Sequence, residues 1–365
     1  MVVRLDTDKI YVQPLGLLKG FTHCEQVFKK LAGGDIYFSV LKIISRTAQG
    51  INEEMVSVSN LDNFLEGKST SVRAEIKMLL ARIESPRQPL SLNNGLLINW
   101  QEPVIQGVLN VTPDSFSDGG EHAELGQALS HARQMISAGA DIIDVGGETT
   151  KPGAKAVSIE GEKSRVLPAI RRLAPLNIPL SIDSRNAEVM KDAIRSGAHI
   201  INDVSALSHD RMSIDVVKKA DVPVILMHAQ GSPETMQDDP QYDHVLLDIY
   251  DYLERRIKVC INAGIDKDRI IVDPGIGFGK TVEHNLAIIN GLAIFHGLGV
   301  PLLIGTSRKS FIGKIAGEEV ATKRIPGSIA SMLLCLEQGA QIVRVHDVEQ
   351  TKQAIFVWRA AHRVE

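Results

Sequence analysis

Cysteine is scarce in this chain, and neither sign of charge is in large excess. Only three cysteines occur in 365 residues, and Cys24, Cys260 and Cys335 lie far apart in the sequence, without the close spacing of a metal-ligand or redox pair. They are most simply interpreted as small buried hydrophobic residues. The formal net charge of −4, with both signs interspersed, leaves no basic stripe for nucleic acid. The composition therefore argues against thiolate metal sites, redox dithiols and a nucleic-acid partner.

Long apolar runs are also missing. No segment approaches the roughly 18 consecutive apolar residues that a membrane-spanning helix needs. The first residues, MVVRLD, lack the apolar core of a signal peptide. We therefore expect a cytoplasmic protein without a membrane segment.

The sequence does contain eight short apolar runs, and most of them stop at polar residues or glycine. The last run closes on Arg344, His346 and Asp347, and others close on an asparagine or an aspartate. Polar groups at the carboxyl ends of parallel strands are typical of the active site of a (β/α)8 barrel. The runs are 108–110, 142–147, 180–183, 200–203, 223–227, 270–273, 302–305 and 342–347.

Segments with a helical period lie after each run. Several are followed by a glycine of the kind that ends helices, at Gly139, Gly197, Gly264 and Gly339. A doubly wound open sheet has the same alternation, but eight units in about 260 residues favour an α/β fold of the TIM (β/α)8 barrel type. The segments are 124–138, 159–173, 188–196, 212–220, 243–263, 282–296, 327–338 and 348–361.

The chain is longer than the roughly 250 residues of a typical barrel, and the surplus is N-terminal. We predict a small α+β domain over 1–85, with strands at 10–12 and 36–40 and a helix at 71–83 capped by Ser69 or Thr70. Residues 86–97 are predicted to be a linker and a barrel-closing hairpin, and 98–365 the catalytic barrel. The first domain has no catalytic constellation, so we expect it to serve as scaffold or oligomer contact.

Three glycine-containing loops follow predicted strands. The loop at 110–120, NVTPDSFSDGG, is rich in the oxygen ligands that suit Mg2+. The loop at 146–153 offers backbone N–H groups, hydroxyls and a lysine for an oxyanion. The loop at 273–281 is not a P-loop, because Pro274 stands where glycine is required, and Lys280 likewise breaks the dinucleotide fingerprint. We expect it to let the backbone approach a ligand, with Asp273 in the barrel mouth and Phe278 as a stacking face.

Taken together, these motifs resemble those of the dihydropteroate synthases, the folate-pathway enzymes inhibited by sulfonamides. The resemblance extends from about Leu90 to the C-terminus, and the N-terminal segment looks like the extension of some bacterial members. Eight signatures in family order carry it: 107–120, 144–150, 182–184, 201–203, 227–228, 273–280, 307–310 and 344–347.

The resemblance implies that 6-hydroxymethyl-7,8-dihydropterin diphosphate is joined to 4-aminobenzoate with release of pyrophosphate. The implied mechanism is dissociative and assisted by Mg2+, with no covalent enzyme nucleophile. Members of the family commonly pair through their outer helices, so a homodimer is expected. Asp273 would match the donor edge of the pterin as a bidentate acceptor. The implied pterin-binding set is Asp183, Asn202, Met227, Asp273 and Lys309.

The other implied roles belong to the ends of the strands and to the first two loops. Asp144, Asp203 and His228 are expected to be structural. Catalysis is assigned to Asp118, Lys309 and Arg344, and metal binding to Asn110 and Asp114. Pyrophosphate binding is assigned to Asn110, Thr150, Arg344 and His346, and 4-aminobenzoate binding to Phe116, Thr150, Lys151, Pro152, Phe278 and Ser310.

Two positions depart from the family pattern. Lys151 stands where the family usually has arginine and lacks the planar fork that grips a carboxylate twice. Arg185 follows Asp183 and Ser184 where the commoner sequence is Asp-Thr-Ser. Three alternatives stay open from the sequence: a pterin-dependent methyltransferase, a Schiff-base aldolase using Lys309, and a pterin-binding paralogue without turnover. The long loop at 110–120 argues against the first.

Overall fold

A computed structural model describes residues 8–20, 26–111, 120–148, 157–231 and 235–362. The six predicted site residues Asp114, Phe116, Asp118, Thr150, Lys151 and Pro152 lie outside these ranges.

The N-terminal region combines two small antiparallel sheets with two helices. One sheet has the strand order β1-β5-β6 and the other β2-β4-β3. The predicted helix is present as α2, and Ser69 caps it by accepting a hydrogen bond from the Val72 amide. The elements are β1 (Lys9–Leu15), β2 (Leu18–Lys19), β3 (Lys29–Lys30), β4 (Ile36–Phe38), β5 (Val40–Thr47), β6 (Gly50–Ser57), α1 (Leu61–Glu66) and α2 (Thr70–Glu84).

The β5–β6 hairpin was not predicted. β6 is exposed along most of its length, with the sequence GINEEMVS, so it lacks the apolar run that marks a buried strand. β5 carries lysine and arginine among its apolar residues, but both of its faces contribute to a core. Leu41 and Ile43 pack inside the N-terminal region, whereas Ile44, on the opposite face, packs with the barrel core.

A second hairpin, β7 (Leu90–Ser91) and β8 (Leu97–Ile98), closes one end of the barrel. Its buried residues Leu90, Leu92 and Ile98 pack in one cluster with residues of the barrel strands such as Val104 and Ile142. The hairpin therefore fills the barrel end where the strands begin, leaving the opposite end for the polar residues.

Eight parallel strands form the barrel, in the order β14-β13-β12-β11-β10-β9-β16-β15. A parallel bridge between Val272 and Leu302 closes the ring. The predicted (β/α)8 barrel is thus confirmed, with every predicted run inside or overlapping a strand. The strands are β9 (Val104–Asn110), β10 (Ile142–Gly146), β11 (Leu180–Asp183), β12 (Ile200–Asp203), β13 (Val224–Met227), β14 (Ile270–Asp273), β15 (Leu303–Ile304) and β16 (Ile342–Val345).

Helices surround the barrel as predicted, with two differences. The predicted helix at 282–296 ends at Asn290, and after Gly291 the chain continues as a 3-10 segment, Leu292–Leu298. One short helix, α9, was not predicted. The helices are α3 (Gly120–Ser137), α4 (Ile159–Leu173), α5 (Ala187–Arg195), α6 (Ser213–Ala220), α7 (Val245–Asn262), α8 (Val282–Asn290), α9 (Ser310–Ala316), α10 (Ile325–Glu337) and α11 (Val348–Ala361).

The N-terminal region packs against α7 of the barrel. The Tyr11 ring meets the Tyr250 ring edge-on at 5.3 Å between centroids. The Tyr11 hydroxyl lies 2.8 and 2.9 Å from the two Asp251 carboxylate oxygens. Lys9 adds ion pairs to Asp251 and to Glu254. Buried aromatic area and charge-assisted hydrogen bonds together fix the two parts against each other.

Candidate active site

The register of the parallel strands brings the predicted polar residues to one level. Gly146 pairs with both Asn110 and Asp183, and Asp183 pairs with Asn202. Because all of these strands run in the same direction, the four residues lie side by side at the carboxyl end of the barrel.

Two further predicted residues lie at the ends of the next strands. Met227 of β13 pairs with Asp273 of β14, and both are buried. Asp273 accepts a hydrogen bond from the Gly275 amide at 2.7 Å. Burial raises the pKa of Asp273, and this backbone hydrogen bond and the nearby Lys309 oppose the rise. A buried carboxylate of this kind favours a ligand that is positively charged or that donates several hydrogen bonds.

Arg344 projects from β16 into this group of residues. Its Nε donates to Asp144 Oδ2 at 2.7 Å, and its Nη2 donates to Asp183 Oδ2 at 2.7 Å. Burial alone lowers the pKa of Arg344, but the carboxylates of Asp144 and Asp183 raise it above the usual range. The guanidinium is therefore permanently charged and held in a fixed orientation, and its Nη1 makes no hydrogen bond to the described residues.

Asp144 is the residue whose importance the sequence did not reveal. It is fully buried and accepts hydrogen bonds from Ser181 Oγ and from Asn202 Nδ2, besides the one from Arg344. Ser181 in turn accepts from Gln106 Nε2 at 2.9 Å. Asp144 thus orients two predicted site residues at once. A signal was present, because Asp144 lies two residues before Gly146 on the same face of its strand.

The pKa of Asp183 is subject to opposing effects. Burial raises its pKa, Arg344 counteracts the rise, and the neighbouring Asp144 carboxylate adds to it. The 2.7 Å contact with Arg344 is the feature that favours the ionised form.

Lys309 reaches the barrel mouth across the glycine-rich loop after β14. Its ammonium lies 4.1 Å from the centroid of the Phe278 ring. A side chain at Gly277 would lie 3.2 Å from the Lys309 stem, so the glycine leaves room for the lysine to pass. Burial and the nearby Arg344 lower the pKa of Lys309 to about 8, against the influence of Asp273 and Asp183. The ammonium is therefore an acid of moderate strength next to an aromatic face.

A buried lysine to which the sequence assigned no role, Lys280, supports the same loop from inside the protein. Lys280 Nζ lies 3.0 Å from His228 Nδ1 and donates to the Phe278 carbonyl oxygen at 2.9 Å. Burial lowers the pKa of Lys280 to about 7 and that of His228 well below its usual value. Gly275 is required here, because a Cβ would lie 1.9 Å from the His228 carbonyl oxygen. His228 is itself buried, and a structural role remains the prediction for it.

The loops after β15 and β16 are tied to each other. Ser307 Oγ lies 3.0 Å from His346 Nδ1 and accepts from the His346 amide at 3.2 Å. Arg308 adopts a left-handed conformation with φ of 58° and forms an ion pair with Asp347. These contacts hold His346 and Asp347 against the loop that leads to Lys309. Ser310, the next residue, is exposed at the start of α9.

The N-terminal region also touches the rim, through α7. Arg46 Nη1 lies 2.6 Å from Asp248 Oδ1. The other oxygen of Asp248 accepts from the backbone amides of Asp243 and His244, which end the loop after β13. In the same loop the Tyr242 hydroxyl donates to the Gly279 carbonyl oxygen at 2.8 Å. A chain of direct contacts therefore connects Arg46 to the glycine-rich loop that carries Phe278.

Comparisons with known proteins agree with this geometry. The family model described as pterin binding enzyme matches residues 106–346. The dihydropteroate synthase of Escherichia coli K12 is 45% identical over 267 residues, which cover 73% of this chain and 94% of the relative. That of Bacillus subtilis is 45% identical over 251 residues, covering 68% and 85%.

Solved structures give the same result. The Yersinia pestis dihydropteroate synthase, in complex with a sulfonamide drug, is 42% identical, with a TM-score of 0.72 over 76% of this chain and 100% of that one. The Xanthomonas albilineans enzyme in complex with 7,8-dihydropteroate is 40% identical, with a TM-score of 0.70 over the same shares. The chain belongs to the dihydropteroate synthase family, the transferases of folate biosynthesis that join 6-hydroxymethyl-7,8-dihydropterin diphosphate to 4-aminobenzoate.

Proposed function

We propose that the polar end of the barrel divides into a pterin pocket and a pyrophosphate site that meet at Arg344. The pterin pocket consists of Asp183, Asn202, Met227, Asp273 and Lys309. The observation that carries this proposal is the pair of hydrogen bonds from Arg344 to Asp144 and Asp183, because it joins a fixed positive charge to the acidic wall of the pocket.

The pterin pocket has the chemistry that a flat, donor-rich heterocycle requires. Asp273 uses one carboxylate oxygen for the Gly275 amide, which leaves the other for the guanidine-like edge of the pterin. The Asn202 amide nitrogen is taken by Asp144, so its oxygen is the group that faces a ring N–H. Lys309 donates to the ring carbonyl and N5.

The departing pyrophosphate needs donors outside this pocket. Arg344 Nη1 and the His346 side chain supply them, together with Asn110 at the end of β9. When the C–O bond breaks, the electron pair leaves with pyrophosphate and a cationic methylene remains on the dihydropterin. The amine of 4-aminobenzoate then forms the new C–N bond and loses a proton. Positive charges that already face the leaving group stabilise the charge that develops on it in the transition state. They lower the activation barrier because they need not be reoriented during the reaction.

A metal ion fits the same place. The Asn110 amide oxygen is a hard donor at the strand end, and the predicted second ligand, Asp114, lies outside the described residues. Within the described ranges, no three histidine, cysteine or acidic residues are placed so that they could hold a metal ion together. An amide oxygen and a carboxylate suit Mg2+, which commonly keeps water and takes phosphate oxygens. When bound, Mg2+ would supply positive charge to the leaving group.

The aminobenzoate site lies toward the outside of the barrel mouth. Phe278 is half-buried and Ser310 exposed, so both can line an entrance. The Xanthomonas albilineans enzyme has been solved with 4-aminobenzoic acid, and the ligand of this chain is proposed by similarity. The other predicted contacts, Phe116, Thr150, Lys151 and Pro152, belong to the two loops outside the described residues.

We also propose that the chain is a cytoplasmic homodimer. None of the helices in the described part of the chain could cross a membrane. Leu334 of α10 and Phe356 and Val357 of α11 are large apolar residues that are 51%, 55% and 66% exposed on neighbouring outer helices. Apolar side chains concentrated in this way mark a contact surface. Light scattering on the purified chain tests the predicted mass.

Turnover is tested directly with purified protein, the dihydropterin diphosphate, Mg2+ and 4-aminobenzoate. Stoichiometric release of pyrophosphate and formation of dihydropteroate are expected. Pterin binding by calorimetry without product would instead identify a paralogue that binds but does not turn over, and would refute the proposed mechanism.

A further inference from the structure

A cavity of about 440 Å³ lies where the N-terminal region joins the barrel. Its walls are formed by the end of α2, by the linker residues 85–88, and by barrel residues 267–268 and 299–301. The barrel segments precede β14 and β15, so they lie at the ends where the strands begin. The cavity is therefore at the opposite end of the barrel from the pterin pocket.

Among the described residues, three cations and one acid line this cavity. Arg82, Arg87 and Lys267 line it, with Asp268 as the acidic member. Arg87 is only 9% exposed. Its two terminal nitrogens donate to the carbonyl oxygens of Arg82, Ser85 and His296, but its Nε finds no hydrogen-bond partner in the described part of the chain. Burial lowers the pKa of Arg87 to about 10. A buried guanidinium that meets only carbonyl dipoles is incompletely neutralised.

The other two cations are also poorly compensated. Arg82 lies 3.8 Å from Glu254, but that carboxylate already pairs with Lys9 at 2.8 Å and with Lys258 at 3.1 Å. Lys267 has no ion pair within the described ranges. Burial, then Arg82 and Arg87, lower the pKa of Lys267. Mutual repulsion of this kind is relieved by an anion.

The cavity is kept open next to these charges by a glycine. Gly299 has φ of 72°, and a Cβ at this position would lie 2.8 Å from Lys267 Nζ and 3.2 Å from Arg82 Cγ. Any larger residue would press on both cations. The rest of the wall includes the apolar side chains of Met78, Pro86 and Val300. The cavity thus combines a cationic side with an apolar side.

We propose that this cavity binds a phosphorylated small molecule of about nucleotide size. Arg82 and Lys267 would hold the phosphate, because a guanidinium and an ammonium match the oxygens of a dianion. Arg87, whose terminal nitrogens are engaged by carbonyl oxygens, would add positive charge behind them. The apolar wall would contact the organic part of the ligand, and the volume lies in the range usual for such sites. Since the ligand touches α2, the linker and the barrel, its binding would fasten the N-terminal region to the catalytic barrel.

Hydrogen exchange with mass spectrometry on the full chain tests this proposal, because it shows which part of the chain a ligand protects. The probes are adenosine monophosphate, inorganic phosphate and adenosine. At about ten times Kd a ligand suppresses local opening about tenfold. We expect adenosine monophosphate to slow exchange in peptides from 79–88 and 264–301, phosphate to do so at higher concentration, and adenosine to have no effect. Protection confined to peptides of the catalytic end, such as 342–347, would overturn the proposal.

Lys267→Gln is the informative variant, since Lys267 makes no ion pair that the fold needs. It should abolish most of the protection, and Lys267→Arg should restore it. Lys219→Gln, which removes one exposed charge from α6, is the matched control and should behave like the parent protein. Equal protection in Lys267→Gln and in the control, or equal protection by adenosine and its monophosphate, would contradict the proposal. The site is independent of turnover, so Asp273→Asn should leave this protection unchanged.

Discussion

Asp144→Asn is the substitution that best tests how the catalytic end is organised. The change is isosteric, but Asp144 accepts from three donors, Ser181, Asn202 and Arg344. An asparagine must turn its NH2 group toward at least one of them. A lost hydrogen bond to a charged group costs about 1.5–3 kcal/mol. Arg344 keeps its contact with Asp183, so we expect a stability loss near the middle of that range.

The effect on activity should exceed the effect on binding. A guanidinium displaced by about 1 Å can lower the rate about 100-fold. Since Arg344 is proposed to act on the leaving group, kcat should fall by roughly this factor while the KM for 4-aminobenzoate changes little. Steady-state kinetics measure the kinetic effect, and urea unfolding measures the stability.

Asp203→Asn is the matched control. Asp203 is as buried as Asp144 and also has three contacts, with the amides of Ser205 and Leu207 and the Ser205 hydroxyl. Its side chain is hydrogen-bonded to the loop after β12 and to no site residue of the described ranges, so Asp203→Asn should lose comparable stability and retain most of kcat. The reasoning is refuted if Asp144→Asn is fully active, or if both variants lose kcat equally.

Four further predictions concern the pterin pocket, its pH dependence and the loops. Asp273→Asn should weaken pterin binding in calorimetry by about 2 kcal/mol or more, because an amide presents a donor where an acceptor is needed; unchanged affinity would remove Asp273 from the pocket. Activity should fall as pH rises through about 8, where the Lys309 ammonium loses its proton. In Lys309→Arg this alkaline decline of the pH–activity profile should disappear. An identical decline in the parent protein and the variant would assign it to another group. Arg46→Ala should raise the KM for 4-aminobenzoate severalfold with kcat retained, and Arg46→Lys should restore it; unchanged KM would show that the contact with Asp248 does not reach the glycine-rich loop. Lys151→Arg should lower the KM for 4-aminobenzoate and leave pterin affinity unchanged, and a higher KM would contradict the role inferred for this lysine.

The role of the N-terminal region illustrates what local patterns miss. Its lack of catalytic residues predicts a scaffold, and its helix α2 was correctly placed. However, the contact from Arg46 to Asp248 joins residues about two hundred positions apart, as does the contact from Arg87 to His296. No sequence periodicity predicts such a pairing, because the local sequence around each residue does not distinguish it from an ordinary solvent-exposed charged residue.

The sequence by itself determined the barrel and the placement of most of the polar residues. Apolar runs of strand length, helical periods and helix-ending glycines are local signals, and they predicted α4 and α11 with the observed bounds. Strand direction then required that Asn110, Asp183, Asn202 and Asp273 lie at one end.

Only the tertiary structure decided which of these groups support each other. Asp144 and Arg344 are separated by 200 positions, and their hydrogen bond exists because β10 and β16 flank β9 in the closed barrel. The same holds for the buried Lys280 beneath Phe278 and for the cationic cavity at the junction. The pKa of an ionisable group depends on its burial and on its neighbouring charges and hydrogen bonds. Both are properties of the folded chain.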